Sequence, residues 1–233
     1  MLKGFAGIVL VASVIASVPG NVEPPSADAR SLADRSGEIR GIVRVPAASP
    51  PPDVRLSPYS RQSYGPSRFE ASSFDPRDVV VFVTTRSGSI TSPPADVVVD
   101  QVDLKIVQRV TPVVVGTTVE FPNSDGVFHN LFSLSSPQKF NLGRYAPGDT
   151  RSVTFNTPGV VRLFCDIHSD MGGAILVLET DRFTRPSADG AFRFAGLEAG
   201  RHQVVAWHDA LGADTTEVLV TDDGVAEVVF SLR

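Results

Sequence analysis

The segment FCDIHSDM, residues 164–171, carries Cys165, His168 and Met171 at the spacing C-x-x-H-x-x-M. A thiol, an imidazole and a thioether this close in sequence can converge only if a loop folds around an ion. A second segment, TVEFPNSDGVFHN at 118–130, contributes another imidazole, His129, from an earlier part of the chain. Together the two segments predict a metal site made by His129, Cys165, His168 and Met171.

The types of ligand indicate copper. Sulfur ligands and imidazoles favour copper in both oxidation states, and two His and one Cys with a weak axial Met is an electron-transfer arrangement. Zinc is the competing metal because two His and one Cys also suit it, although the Met argues against zinc. Taken singly, Cys165 is equally an inert buried thiol, Met171 a core residue and His129 a polar loop residue. The joint pattern predicts one copper ion, cycling between Cu(I) and Cu(II).

The N-terminus has the features of an export signal. Lys3 provides a positive charge, Ile8–Val18 form an apolar run, and the small residues Ala16 and Ser17 lie near its end. The run is short for a membrane span, which favours a cleaved signal at 1–20 over an uncleaved anchor. The mature chain is then expected to be periplasmic or otherwise exported, without an integral membrane span. In an oxidising compartment the lone Cys165 is expected to be a metal ligand, an intermolecular bridge or a reactive thiol.

The composition indicates an all-β chain. Of 233 residues, 42% are hydrophobic and 20% are charged, which is typical of a folded protein. Many short valine-rich segments, separated by turns rich in the 18 prolines and 19 glycines, favour β-sandwiches. One predicted strand covers Val97–Val107. The net charge of −5 argues against nucleic acid as a partner.

Two β-sandwich modules are predicted, one inserted into the other. The C-terminal strands are too few to cover their apolar face, and Gly37–Val45 and Asp78–Thr85 supply the missing strands. The proline-rich stretch Pro46–Pro76 is interpreted as an extended loop or, alternatively, as a docking arm for an acidic partner. The predicted order is signal peptide 1–20, linker 21–36, first part of the outer module 37–90 with the proline-rich loop 46–76, inserted domain 95–179, and second part of the outer module 180–233.

The two metal-binding segments resemble the ligand loops of cupredoxins, the plastocyanin and amicyanin family, over roughly Val97–Glu179. The matching positions are Phe121, Asn123, His129, Asn130 and Phe164. The C-x-x-H-x-x-M loop is most similar to that of amicyanin, although Phe128 and Ile167 stand where proline is common. The resemblance implies a Greek-key cupredoxin β-sandwich with a copper site. It also implies that Asn130 hydrogen-bonds the loop beside Cys165 and holds the site closed.

A second resemblance concerns the C-terminal part. Ser187–His208 are similar to carboxypeptidase regulatory-like (transthyretin-like) modules, with a glycine turn before Phe192 and Phe194 and a later strand that ends in Trp207. The combination of the two modules resembles methylamine-utilisation proteins that carry a plastocyanin-like region. This resemblance implies that the chain functions in a setting similar to that of the methylamine-utilisation proteins.

The predicted function is single-electron transfer between redox partners by an exported blue-copper protein. The resemblance to cupredoxins implies that the edge of His168 faces a redox protein partner. The alternatives are copper binding or delivery without redox turnover, and a structural module with a vestigial site. His202 and His208 lack ligand partners at metal-binding spacing and are expected to serve packing or the surface. The absence of His-x-His pairs argues against a multicopper oxidase or nitrite-reductase type of enzyme, so no enzymatic turnover is predicted.

Overall fold

The structure is a computed structural model that describes residues 36–46, 74–84, 90 and 95–233. The predicted signal peptide 1–20, nearly all of the predicted linker and the core of the proline-rich loop, 47–73, lie outside the described residues. In the part of the chain that is described, no helix is long and apolar enough to cross a membrane.

Strands make up nearly all of the regular structure in the described residues, and the all-β prediction is confirmed. The exception in this part of the chain is a one-turn 3-10 helix at Pro76–Asp78. In chain order the strands are β1 (Gly37–Arg44), β2 (Val80–Thr84), β3 (Val97–Val98), β4 (Gln101–Val102), β5 (Lys105–Ile106), β6 (Val110–Val114), β7 (Thr117–Pro122), β8 (Leu131–Ser133), β9 (Phe140–Asn141), β10 (Thr150–Phe155), β11 (Gly159–Cys165), β12 (Gly172–Leu178), β13 (Phe183–Thr184), β14 (Ala191–Leu197), β15 (Gly200–His208), β16 (Gly212–Val220) and β17 (Val225–Ser231).

The earliest and latest strands pair with each other. β1 pairs antiparallel with β14 and parallel with β17, while β2 lies between β13 and β15 in a sheet that continues to β16. Because side chains alternate between the faces of a strand, Ile39 and Val43 of β1 point into one core with Phe192, Phe194 and Phe230. From this pairing we propose that the segments 37–90 and 180–233 form one discontinuous module.

The intervening strands form a second sandwich. One sheet has the order β10-β7-β3 and the other β6-β12-β11-β8-β9. β3 joins β7 and β6 joins β12 in parallel, and the other pairs are antiparallel. Phe121, Leu131 and Phe155 fill the core of this sandwich together with Cys165 and Met171. Burial of a large apolar side chain contributes roughly 1.5–3 kcal/mol, so the segment that carries the predicted ligands is anchored in the core.

Strand β12, GGAILVL, is buried on both faces, which explains its continuous apolar run. Ile175 and Val177 belong to the core of the second sandwich. Leu176 and Leu178 point the other way and cluster with Val80 of β2. The cluster of Val80, Leu176 and Leu178 lies between the two sandwiches. Strand β12, which follows the predicted metal loop, is therefore packed on both sides.

The prediction of a single strand over Val97–Val107 is wrong. The segment divides into β3, β4 and β5, and β4 and β5 form a hairpin around Asp103 and Leu104. Both turn residues have positive φ, 54° and 58°, as a two-residue type I′ turn requires. The sequence conceals the turn because Asp-Leu lacks the asparagine or glycine that usually marks it.

Candidate metal centre

Three of the four predicted ligands come together at one point. Nδ1 of His129 and Nδ1 of His168 lie 3.2 Å apart. Sγ of Cys165 lies 3.9 Å from the first of these nitrogens and 3.8 Å from the second. Among the residues that the structure describes, these form the one group of three or more His, Cys, Asp or Glu side chains placed to hold a metal ion.

The three distances fit a metal ion. A point equidistant from the three donor atoms lies about 2.1 Å from each, within the roughly 2.0–2.3 Å expected of metal–nitrogen and metal–sulfur bonds. Two imidazole nitrogens and a sulfur atom can face one another at these distances when they share a proton or when a cation lies between them. Two nitrogens and one thiolate sulfur form the trigonal set of copper electron-transfer sites, so the donor set fits copper.

The backbone of the chain holds these ligands in place. His129 lies between β7 and β8, where its N–H donates to the carbonyl of Tyr145 at 3.2 Å and its carbonyl accepts from the N–H of Tyr145 at 2.9 Å. The N–H of Cys165 donates to the carbonyl of Met171 at 3.3 Å, and the N–H of Met171 donates to the carbonyl of His168 at 3.1 Å. The 165–171 loop is therefore closed by its own backbone.

Met171 is buried in the same core cluster as Cys165, directly before β12. Its backbone is bonded to both Cys165 and His168, so it closes the loop that carries these two ligands. A thioether is a weak ligand at such sites. We propose that Met171 is the weak ligand of this site.

Asn130 is linked to the cysteine loop through its backbone. Its carbonyl lies 3.4 Å from the N–H of Asp166, whereas its buried Oδ1 has no hydrogen-bond partner. The hydrogen bond implied by the family resemblance therefore does not involve this side-chain oxygen. Because a backbone contact survives truncation of a side chain, Asn130→Ala is expected to disturb the loop less than the resemblance implied.

Asp125, which the sequence patterns did not identify as a site residue, contacts the predicted ligand His129. Its Oδ2 lies 2.8 Å from Nε2 of His129, and its side chain is 10% exposed. Burial by itself raises the pKa of Asp125, but hydrogen bonds from the Leu104 amide, from His129 and from the Asp103 amide outweigh burial and hold this pKa below its ordinary value. The carboxylate is thus ionised at neutral pH and accepts the Nε2 proton, which leaves Nδ1 of His129 for the metal. An acidic residue four positions before the histidine was the available sequence signal.

Tyr145 and Gln101 form a buried polar pair beside His129 that sequence patterns did not reveal. Nε2 of Gln101 donates to the phenol oxygen of Tyr145 and, at 2.9 Å, to the carbonyl of Pro122. Burial raises the pKa of Tyr145 to about 12, although the hydrogen bond with Gln101 acts in the opposite direction. The phenol is therefore neutral at physiological pH and places no charge beside the metal centre.

His168 is the ligand closest to solvent. His129 and Cys165 are buried, whereas His168 is half-buried. Phe128, which precedes His129, is 54% exposed, and Ile167, which precedes His168, is 38% exposed. The imidazole of His168 is therefore the most exposed of the three, and an exposed apolar residue precedes each of the two histidines in sequence.

His202 and His208 lie in the other sandwich and contact none of the metal-binding side chains. Nε2 of His202 donates to the carbonyl of Glu198 at 2.7 Å. Nδ1 of His208 accepts the N–H groups of Ala210 at 3.1 Å and Leu211 at 3.2 Å, which closes the turn between β15 and β16. Both side chains are buried, so they contribute to packing and turn formation.

His208 predicts a pH dependence of stability. Burial lowers the pKa of His208 below its ordinary value of 6.5, with Arg109 acting in the same direction and Asp78 and Asp209 opposing. The unfolded chain therefore binds this proton first as the pH falls. The contribution of His208 to the free energy of unfolding is complete above pH 6.5 and is lost as the pH falls from 6.5 towards the folded pKa.

Urea denaturation of the metal-free protein between pH 8 and pH 5 checks this dependence. His208→Asn retains an acceptor for the two N–H groups but does not titrate, so it should flatten the decline in the free energy of unfolding below pH 6.5. An equally steep decline in His208→Asn would assign the pH dependence to other groups.

No family model and no curated protein matches the chain. Among solved structures, it is similar to the Cu-containing nitrite reductase (NirK) from Thermus scotoductus SA-01, with 28% identity, 40% of this chain and 25% of that chain covered, and a TM-score of 0.35. A reduced amicyanin mutant, P94F, shows 24% identity over 42% of this chain and 99% of its own, with a TM-score of 0.34. A purple cupredoxin from Nitrosopumilus maritimus shows 26% identity over 36% of this chain and 99% of its own, with a TM-score of 0.32.

The nitrite reductase is described as Cu-containing, and the likeness to all three solved structures is partial. The chain spans a quarter of the length of the nitrite reductase. Because every one of these TM-scores lies below 0.5, the copper assignment depends on the donor atoms of the chain itself.

Proposed function

We propose that the chain is an electron-transfer protein that binds a single copper ion through His129, Cys165 and His168, with Met171 as the weak axial ligand. The observation that carries the proposal is the convergence of two imidazole nitrogens and one sulfur atom within 4.8 Å of one another. A copper ion bound there would supply a one-electron couple between Cu(I) and Cu(II).

The contacts of the ligands favour electron transfer over copper delivery. His129 is held by two backbone hydrogen bonds to Tyr145 and by the carboxylate of Asp125. Cys165 is held by the strand β11 and by the carbonyl of Met171. Ligands restrained in this way move little between oxidation states, which favours rapid electron transfer. Delivery of copper requires ligands that can release it.

His168 provides the proposed route to a partner. Its half-buried imidazole joins the buried site to the surface, and Val127, Phe128 and Ile167 are exposed apolar residues next to the ligands in sequence. Exposed apolar side chains that form one patch are typical of a protein-binding surface. We propose that a redox protein docks on this surface and exchanges single electrons through His168.

Addition of Cu(II) to the full chain tests the proposal. We expect one intense visible band that saturates at one copper per chain, and a reductive titration that bleaches it with one electron per copper. Tight Cu(I) binding without such a band would favour copper delivery. Preference for zinc over copper, or no binding, would contradict the proposed site.

Export and the absence of turnover are further parts of the proposal. Export rests on the N-terminal features in the sequence, and the relation to methylamine-utilisation proteins and to carboxypeptidase regulatory-like modules rests on sequence resemblance. With a chemical reductant in excess, the copper-loaded chain is expected to leave nitrite unchanged, as a nitrite-depletion assay can measure. Catalytic loss of nitrite, with many turnovers per copper, would make the chain an enzyme.

A further inference from the structure

We propose that the exposed turn at Asp103 and Leu104 positions the metal ligand His129, acting through Asp125. This inference deepens the proposed function and rests on it for the identity of the metal. The turn, the carboxylate and the imidazole form one hydrogen-bonded chain that runs from the protein surface to the metal centre.

The carboxylate of Asp125 makes all of the contacts in this series of hydrogen bonds. Oδ1 of Asp125 accepts the N–H of Asp103 at 2.5 Å, and Oδ2 accepts the N–H of Leu104 at 3.0 Å. The same Oδ2 lies 2.8 Å from Nε2 of His129. Hydrogen bonds to an ionised carboxylate are shorter and stronger than bonds between neutral groups. Any displacement of Asp125 therefore changes the turn and the imidazole together.

The turn depends on the carboxylate because its backbone conformation is unfavourable for Leu104. Asp103 and Leu104 have φ of 54° and 58°, a region that bulky residues such as leucine rarely adopt. Leu104 is 47% exposed, so packing offers little compensation. Successive N–H groups that point to one side of such a turn form a concave anion-binding surface. The carboxylate of Asp125 occupies that surface and stabilises the turn.

A second set of contacts attaches the base of the hairpin to the loop that carries Asp125. The N–H of Ser124 donates to the carbonyl of Gln101 at 3.1 Å, and the hydroxyl of Ser124 lies 2.8 Å from Oδ2 of Asp100. The base and the tip of the hairpin therefore both hold the 123–126 loop. Asp125 is kept at a set position relative to His129 by this attachment and by the turn.

Hydrogen exchange on the unmodified chain tests the coupling. Because coupling between two sites is reciprocal, copper binding should slow exchange of the Asp103 and Leu104 amides by about tenfold or more. The control is the turn at Asp223, which also has positive φ, 53°, and whose Gly224 N–H donates to the carbonyl of Thr221 at 3.0 Å in the other sandwich. No slowing at Leu104, or equal slowing at Gly224, would overturn the proposal.

Variants separate the turn from the carboxylate. Asp125→Ala removes the acceptor and should weaken copper binding by about tenfold to a hundredfold. Leu104→Pro removes one donor and forbids positive φ while it leaves Asp125 in the chain, so it should also weaken copper binding. Asp223→Pro damages the remote turn in the same way and should leave the affinity unchanged. Unchanged affinity in Leu104→Pro, or equal losses in the two proline variants, would overturn the proposal.

A glycine variant tests whether the turn acts through Asp125. Leu104→Gly adopts positive φ without a Cβ clash and keeps its N–H, so the affinity for copper should be retained. In the Asp125→Ala background, Leu104→Gly should restore order to the turn, seen as slower amide exchange, without restoring the affinity. Restored affinity in this double variant would show that the turn acts by another route.

A measurement on the metal-free chain distinguishes failure of this inference from failure of the proposed function. Imidazole nitrogen NMR shifts near pH 8 should show His129 with its proton on Nε2, and Asp125→Ala should give a mixture of tautomers. If the chain failed to bind copper, the electron-transfer function would be wrong, yet the NMR result would still test positioning by Asp125. A tautomer unaffected by Asp125→Ala would overturn the positioning role.

Discussion

Cys165→Ser is expected to abolish the visible absorption band of the copper-loaded protein. The band arises from charge transfer between the thiolate of Cys165 and the bound copper, and a serine hydroxyl does not provide an equivalent donor. Cys165 is the single cysteine of the chain, so no other thiol can replace it. The measurement is an optical spectrum after addition of one equivalent of Cu(II).

The controls for this variant address folding and locality. A buried serine hydroxyl without a partner costs roughly 1–3 kcal/mol, so a thermal melt should accompany the spectrum. Ser169→Ala changes an exposed residue of the same loop and should keep the band. A band that persists in Cys165→Ser would remove Cys165 from the ligand set.

Met171→Leu should keep a coloured site and raise its reduction potential. The thioether is a weak ligand that tunes the potential more than it holds the metal. Leucine is similar in volume, so the core around Met171 should tolerate it. An apolar neighbour favours the less charged Cu(I) state, and voltammetry of the variant measures the shift. Outright loss of copper from Met171→Leu would contradict an axial role.

Gly190→Ala is expected to lower the free energy of unfolding by roughly 2–5 kcal/mol, the combined effect of a left-handed backbone and an overpacked contact. Gly190 has φ of +85°, and a Cβ there would lie 2.2 Å from the carbonyl oxygen of Val43. The carbonyl of Gly190 accepts the N–H of Val43 at 2.8 Å, so the two backbones cannot separate without loss of this bond. Urea denaturation measures the change.

Gly196→Ala is the matched control for this effect. Gly196 also has positive φ, +70°, but a Cβ there meets nothing within 4 Å. Its substitution should therefore cost only about 1–2 kcal/mol of backbone strain. Equal losses in the two variants would show that the contact with Val43 has no effect. Below its melting temperature Gly190→Ala should keep the visible band, because Gly190 is not in contact with the metal-binding side chains.

Three of the four proposed metal ligands could be proposed from sequence because their pattern is local. Cys165, His168 and Met171 lie on one short loop whose spacing allows convergence on an ion. The all-β class was likewise accessible, since alternation of polar and apolar residues reports how each short strand is buried. The continuous apolar run of β12 fits the burial of both its faces, but such a run does not tell which strands cover it.

The turn at Asp103 and Leu104 shows where local patterns fail. Leu104 does not favour positive φ, and the conformation is stabilised by a carboxylate about twenty positions later in the chain. For the same reason, the contact between Asp125 and His129 was not predicted. A hydrogen bond between distant segments leaves no periodic trace in a sequence, because periodicity reports burial rather than partners.

The types of the predicted ligands, their spacing and the tendency of most segments to form strands follow from the amino-acid sequence alone. The folded structure was needed to show that His129 reaches the cysteine loop, that His168 is the half-buried residue of the three, and that β1 pairs with β14 and β17 at the far end of the chain. This is because side-chain chemistry and strand tendency are properties of single residues and short segments. The distances between donor atoms, their exposure and their hydrogen-bond partners depend on packing between segments that lie far apart in sequence.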